Sequence, residues 1–244
     1  MWPTVHLPGT GVTISSYHLF HVVAWFTFLI VGLALTRSRP HLKPHWWWLG
    51  GGLAFCDTVG ARLAFQAVWG RQGTGFSAAP ALFAALSVAY VVARKVRAYP
   101  FLDAWAVAFS AASVFEKVAC FMAGCCFGRM TDSPMGVALH SAQGDPTRWL
   151  PLPLYESSFH LATAVTLGLL YAHGRLKGRL LMVLGVVYGS WRLLIEVARA
   201  GRKSPFMDGP LTAVQVVCLL TVAFSVAYLA SGRSHGRRAL NATG

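Results

Sequence analysis

The sequence is poor in charged residues, above all in acidic ones. Charged residues make up 12% of its 244 positions, with 8 Asp and Glu against 21 Lys and Arg, whereas soluble domains carry about 25%. Its five cysteines include no repeated Cys-x-x-Cys pair, so the sequence offers neither a zinc framework nor a disulfide scaffold. A soluble globular domain is therefore disfavoured.

Apolar residues, by contrast, are abundant and occur in long blocks. They make up 55% of the chain, in runs of about 20 residues, the length of a helix that crosses about 30 Å of hydrocarbon. The runs lack the alternation of barrel strands. We predict an all-α polytopic membrane protein, with residues 1–244 as one domain of seven transmembrane helices. The predicted spans are 15–36, 46–69, 76–93, 101–123, 152–172, 180–198 and 210–230.

The loop cations predict how these spans are oriented. Alternate connections contain 12 and 6 Lys and Arg, and the positive-inside rule assigns the richer set to the cytoplasm. We therefore expect the N-terminus outside, an outer loop at 128–150 and a cytoplasmic tail at 231–244. The net charge of +13 then lies in loops, which favours membrane lipid headgroups as partners and disfavours nucleic acid.

The first dozen residues are uncharged and rich in Pro and Gly, unlike a cleavable signal peptide. We therefore expect the first span to remain as a helix. The run Trp46-Trp47-Trp48 stands where the second predicted span begins. Because tryptophan is enriched at membrane interfaces, we expect all three to anchor the chain there.

Several charged residues remain inside or at the edges of the predicted spans. A charge near the bilayer centre costs about 3 kcal/mol, so such residues normally face the bundle interior or a water-filled cavity and find a partner. The presence of both signs predicts a polar cavity. These residues are Arg62, Lys117, Arg192, Asp57, Asp103, Glu116, Glu156 and Glu196.

The clearest group is Arg192, Glu196 and Arg199, which share one helix face at spacing i, i+4, i+7. One interpretation is a structural salt bridge between helices. The other is a lipid phosphate site, because two guanidinium groups for one carboxylate leave a surplus positive charge, and their planar fork suits bidentate phosphate binding. The surplus charge favours the phosphate site.

A glycine-rich turn with cysteines follows Lys117 in the fourth span. Gly124 and Gly128 permit a tight turn and close approach of a ligand to the backbone beside Arg129. The cysteines are either packing residues or, on an oxidising outer side, a pairing of Cys120 with Cys125 or Cys126.

Tyr155 and Glu156 open the fifth span, and His160 shares a helix face with Glu156 at i, i+4. The pair is either a base with its orienting carboxylate or one half of a metal site. A metal needs three or four ligands and no second such pair stands out, so we assign no metal and no cofactor. His18 and His21 beside Tyr17 are read first as interfacial residues, with a catalytic role as the alternative.

Together these positions resemble the bacterial prolipoprotein diacylglyceryl transferase family along nearly the whole chain. Seven spans in this orientation are typical of that family, and the end of its His-Pro-x-Gln-Leu-Tyr-Glu motif is similar to Leu154-Tyr155-Glu156. The other resembling segments are Tyr17 in the first span, Arg62 within Gly60 to Phe65, the signature-like stretch from Gly124 to Asp132, the set from Tyr188 through Arg192, Glu196 and Arg199, and Gln215.

The resemblance implies transfer of a diacylglyceryl group from phosphatidylglycerol to the cysteine thiol of a prolipoprotein lipobox, at the outer leaflet of the bacterial cytoplasmic membrane. Cations would hold the departing phosphate, while a base helps a thiol of pKa about 8.5 ionise. We expect catalytic roles for Tyr17, Arg192, Glu196 and His160. Expected substrate-binding residues are Arg62, Lys117, Gly124, Gly128, Arg129, Tyr155, Glu156, Arg199 and Gln215.

The chain departs from the family pattern at positions that bear on catalysis. Ser77 stands where the family has a catalytic His, so the expected base is His160, followed by His18 and His21. Lys117 replaces a signature Arg, and cysteines replace a signature Asn and Glu. The alternative to an active enzyme is a relative that binds phospholipid without turnover; a transporter is disfavoured because no internal repeat is visible.

Overall fold

The computed structural model describes most of the predicted helical spans. The described residues are 4–6, 13–38, 40–47, 100–140, 146–199 and 211–231. The predicted span at 76–93 lies outside the described residues, and so does the span at 46–69 except for residues 46 and 47. Arg62 and Ser77 are also outside the described residues. Predictions about those positions are therefore not tested by the structure.

Five long helices form the described part of the chain. A 3-10 turn at Pro40–Leu42 follows the first of them, and residues 43–47 are helical. Each long helix begins and ends within three residues of a predicted span, because continuous hydrophobicity over about 20 residues is a local property of the sequence. The helices are α1 (Ser16–Leu35), α2 (Pro100–Met122), α3 (Leu152–Ala172), α4 (Leu180–Ala198) and α5 (Ala213–Ala230).

Three of these helices are long and apolar enough to cross a membrane: Ser16–Leu35, Phe101–Met122 and Leu180–Ala198. A shorter apolar helix covers Val214–Ala230. Large apolar side chains project from the helix surfaces, a pattern that would cause association in water and that lipid contact explains. A membrane location follows, while the number of seven spans and the sides of the termini remain predictions.

The helices pack mainly in sequence order. α1 lies along α2, α2 along α3, and α4 along α5, with smaller contacts from α4 to α2 and α3. A buried cluster of described residues is centred on α1 and α2 and is rich in aromatic rings: Trp105 packs against Phe28 with ring centroids 6.3 Å apart. The hydroxyl of Tyr171 on α3 donates to the Leu35 carbonyl at 2.9 Å, which ties α3 to the end of α1.

Trp46 belongs to this aromatic core and not to the membrane interface. Its side chain is fully buried, with ring centroids 4.7 Å from Phe101 and 5.4 Å from Phe28. The indole fits because Gly32 of α1 has no side chain: a Cβ there would lie 2.4 Å from the ring. The expected anchoring role is therefore wrong for Trp46, whereas Trp47 is 61% exposed.

Asp103 fixes the start of α4 against α2. Its buried carboxylate accepts the backbone N–H groups of Gly178 and Leu180, the second at 2.9 Å. Leu180 is the first residue of α4, so the carboxylate satisfies an N–H group that has no partner within its own helix and lies at the positive end of the helix dipole.

Two short hairpins interrupt the helical architecture. β1 (Thr4–His6) pairs antiparallel with β2 (Thr13–Ser15), and β3 (Val137–His140) pairs antiparallel with β4 (Pro146–Trp149). The second hairpin occupies the expected outer loop, where β-branched and aromatic residues favour extended backbone. The predicted all-α class is therefore corrected to a mostly helical fold with two small hairpins.

Replacing Gly32 with Ala tests the packing of Trp46. The added methyl group would overlap the indole, so we expect Gly32→Ala to lower the free energy of unfolding by about 1–3 kcal/mol. Thermal unfolding of the purified protein in detergent would show the loss.

Gly168→Ala is the matched control in another helix. A Cβ at Gly168 meets its nearest neighbour, Val107, at an ordinary 3.8 Å. Alanine favours helix over glycine, so this variant should be neutral or more stable by about 0.5–1 kcal/mol. Equal losses of stability in the two variants would contradict the proposed packing.

Candidate functional site

Three cations from separate parts of the fold converge on Glu156 of α3. The Nζ atom of Lys117, on α2, lies 3.1 Å from Oε2. Nη1 of Arg192, on α4, lies 3.3 Å from Oε1, and Nη2 of Arg199, just after α4, lies 3.2 Å from the same oxygen. Both arginines donate hydrogen bonds to Glu156, and the Lys117 ammonium forms an ion pair with it.

Glu196 is the second carboxylate of the cluster. Its Oε2 lies 2.9 Å from Nη2 of Arg192 and 3.8 Å from Nε of Arg199. The i, i+4 spacing on α4 brings Arg192 and Glu196 together, as the sequence predicted, and Arg199 reaches Glu196 from just beyond the end of α4. The structure adds Glu156 from α3, so each arginine contacts two carboxylates.

We define the ionic cluster as Lys117, Glu156, Arg192, Glu196 and Arg199. The side chain of Glu156 is 0% exposed, whereas those of the three cations are 12–21% exposed. The carboxylates thus lie deeper than the cations. Three positive and two negative charges leave these five residues with one surplus positive charge.

The packing of α3 against α2 positions Glu156. The hydroxyl of Ser157, the next residue, donates to the Val114 carbonyl of α2 at 3.0 Å. Because Lys117 lies one turn beyond Val114, this hydrogen bond helps to align Lys117 and Glu156. Pro153 lies in the first turn of α3, where a backbone N–H group would have no hydrogen-bond acceptor within the helix. Proline therefore removes no helical hydrogen bond at this position.

The glycine turn after α2 docks on the end of α4. Gly128 donates to the Leu150 carbonyl at 2.8 Å, Arg129 donates to Ala198 at 2.9 Å, and the Gly128 backbone forms a β-bridge with Arg199. A Cβ at Gly128 would lie 2.7 Å from the Ala198 carbonyl oxygen, so this close approach requires glycine. Gly124 adopts a φ of 73°.

Tyr17 and its neighbouring histidines lie at the start of α1. The Tyr17 ring stacks on His21 at 5.6 Å and meets His18 edge-on at 5.7 Å. These are ring contacts within one helix turn. The predicted catalytic role of Tyr17 and the alternative roles of the two histidines remain proposals.

His160 lies one turn beyond Glu156 on α3 and is 1% exposed. Its ring packs 5.1 Å from Tyr188 and 6.2 Å from Phe109. Nδ1 has no hydrogen-bond partner among the described residues. His160 is therefore close to the cluster along α3 but surrounded by aromatic rings.

The remaining predicted binding residues lie at the edges of the site. The Tyr155 hydroxyl donates to the Met135 carbonyl at 3.4 Å, and Arg129 is exposed. Gln215 accepts the Thr212 N–H at 2.9 Å and completes a capping box at the start of α5. This capping role was not predicted, although Thr-x-x-Gln before an apolar run is its usual signal.

A cavity of about 360 Å³ opens at the second hairpin. Its described lining consists of Met130, Thr131, Asp132, Thr147 and Arg148 and includes no member of the ionic cluster. We therefore define the candidate site by the converging buried charges and not by this cavity.

Removing the charge of Glu156 should destabilise the fold. Glu156→Gln leaves three cations with one carboxylate, and loss of one partner from a buried ionic group costs about 3–5 kcal/mol of unfolding free energy. Adding Lys117→Met removes one repelling cation, so the double variant should recover part of that loss. Unfolding in detergent micelles measures both effects.

Asp132→Asn serves as the control, because Asp132 is an exposed carboxylate outside the cluster. It should leave stability nearly unchanged. Strictly additive losses from Glu156→Gln and Lys117→Met would show that these two groups do not act as a pair.

Comparison with known proteins identifies the family of the chain. The family described as prolipoprotein diacylglyceryl transferase matches residues 5–231, a range that includes the whole ionic cluster. The phosphatidylglycerol–prolipoprotein diacylglyceryl transferase of Clostridium tetani (strain Massachusetts / E88) is 25% identical over 158 residues, which is 63% of this chain and 63% of that relative. The chain therefore aligns with less than two thirds of that relative's length, but the family match covers nearly all of the chain. The chain belongs to the prolipoprotein diacylglyceryl transferase family.

Proposed function

We propose that this protein transfers a diacylglyceryl group from phosphatidylglycerol to the cysteine thiol of a prolipoprotein lipobox, at the outer leaflet of the bacterial cytoplasmic membrane. The observation that carries the proposal is the convergence of three cations on Glu156 within the segment that matches the family. The surplus positive charge of the cluster suits an anionic lipid headgroup.

The chemistry explains why such a cluster is useful. The substrate thiolate forms a bond to a glyceryl carbon, the carbon–oxygen bond to phosphate breaks, and glycerol phosphate leaves with the bonding electrons. Negative charge therefore grows on the departing phosphate. Fixed cations in a site with little water stabilise that charge without having to reorganise, which is the general basis of electrostatic catalysis.

In the proposed mechanism, Arg192 and Arg199 bind the phosphate and Lys117 adds a third positive charge. Each guanidinium has five N–H donors, and the described contacts with Glu156 and Glu196 use only some of them. The two carboxylates hold the arginines in position. The three cations are partly exposed, and a headgroup can bind on that exposed side.

Further residues would complete the substrate site. We assign headgroup contacts to Tyr17 and Arg62, while Gly124, Gly128 and Arg129 shape the turn beside Arg199. Further assigned substrate-binding residues are Tyr155 and Gln215.

A second candidate function is phospholipid binding without turnover. It is favoured by the serine at position 77, since a hydroxyl does not act as a base at neutral pH. It is favoured further by the burial of His160, the first substitute base. The two functions differ in whether lipidated peptide is formed.

Arg192→Ala tests the phosphate site. With phosphatidylglycerol in mixed micelles and a lipobox peptide, the wild-type protein should form lipidated peptide and glycerol phosphate. Loss of one preorganised charged donor should slow the reaction by about 100-fold or more. Mass spectrometry of the peptide measures the rate.

Arg175→Ala is the matched control, an arginine in the loop between α3 and α4. It should keep wild-type turnover. An unchanged rate in Arg192→Ala would contradict the mechanism, and phospholipid binding without product in the wild type would establish the second function.

His160→Gln tests the assigned base. Glutamine keeps a polar side chain of similar length but takes up no proton, so turnover should fall by about 100-fold or more. His173→Gln, at the exposed end of α3, is the control. A wild-type rate in His160→Gln would move the assignment to His18 or His21.

A further inference from the structure

Three cysteine sulfurs meet where α2 ends, beside the ionic cluster. The Sγ atoms of Cys120, Cys125 and Cys126 all lie within 4.8 Å of one another. Cys120 is buried in the last turn of α2, Cys126 is half-buried and Cys125 is exposed. Nothing in the proposed transfer reaction uses these thiols.

The backbone of the turn holds this arrangement. The Cys125 N–H donates to the Cys120 carbonyl at 3.0 Å, and the Cys125 thiol donates to the same carbonyl at 3.5 Å. Gly124 and Cys126 have φ values of 73° and 63°, in the left-handed region. A non-glycine residue rarely adopts that region, so the fold constrains Cys126 strongly.

The neighbouring cations favour a thiolate at Cys126. The positive charges of Arg199 and Lys117 act on the Cys126 sulfur and stabilise its ionised form. Thiolates are the form of cysteine that binds metals. The same two cations would offset part of the negative charge of a trithiolate site.

We propose that Cys120, Cys125 and Cys126 bind one thiophilic d¹⁰ metal ion, of the class of Cu(I) or Zn(II). Thiolates on one tetrahedral zinc at about 2.3 Å stand about 3.8 Å apart, so small side-chain movements would close the observed triangle around an ion. Soft thiolate ligands select ions of this class. The exposed side of Cys125 gives the ion a route to the site.

A metal ion would bind all three sulfurs, of Cys120, Cys125 and Cys126, whereas a disulfide would join only two of them. Bonding the adjacent Cys125 and Cys126 to each other would also strain the backbone between them. Cys218, in α5, is a free buried cysteine outside this triangle and provides an internal control. The proposal is independent of the transferase activity.

The test is metal binding by the reduced full-length protein in detergent under anaerobic conditions. Cd(II), a spectroscopic substitute for zinc, is followed by sulfur-to-metal charge-transfer absorption, and Cu(I) is followed by competition with a chromophoric Cu(I) chelator. We expect the protein to bind one equivalent of Cd(II), of Cu(I) or of both. Comparing the two measurements shows whether the site prefers a zinc-like ion or Cu(I).

Cys126→Ser should weaken binding by more than about 100-fold, beyond the effect usual for loss of an outer-shell partner. Cys125→Ser should do the same, and because Cys125 is exposed this variant should fold normally. Cys218→Ser should bind as the wild type does. Absence of binding in both arms, or equal binding in Cys125→Ser and Cys218→Ser, would overturn the proposal.

Discussion

The arrangement of charges around Glu156 depends on a balance between opposite charges, because an unpaired charge inside a bilayer is costly. A fully buried carboxylate is costly unless it is paired, and three buried or half-buried cations repel one another unless a carboxylate lies among them. Glu156 meets both requirements by contacting Lys117, Arg192 and Arg199 together. Helices α2, α3 and α4 therefore meet at one point for an electrostatic reason as well as a packing one.

The rest of the described fold supports that meeting point. Asp103 fixes the start of α4 to α2, Ser157 fixes α3 to α2, and the aromatic cluster around Trp46 joins α2 to α1. Apolar side chains on the outer helix surfaces face lipid. Asp103, Ser157 and Glu156 are all buried, so the polar contacts that join these helices lie inside the packed bundle.

Much of this architecture follows from local sequence. The five described helices coincide closely with predicted spans because apolar length is read directly from the chain. The contact of Arg192 with Glu196 follows from helical spacing. The pairing of Glu156 with cations on α2 and α4, by contrast, depends on tertiary packing, which helical spacing alone does not predict.

Other features have no local signal strong enough to predict them. The burial of Trp46 depends on a glycine in a different helix, and the same residue type at position 47 is exposed. The hairpin after α2 is short and lies among loop residues. The thiol triangle combines a helical Cys120 with two residues of a strained turn, a geometry that spacing rules for metal motifs do not include.

The β-bridge between Gly128 and Arg199 links backbone movement to electrostatics. Since the turn after α2 and the end of α4 share these hydrogen bonds, the turn cannot swing away without withdrawing a guanidinium from Glu156. A substitution that reshapes this turn would therefore also alter the electrostatic field around Glu156, even where it changes no charged side chain.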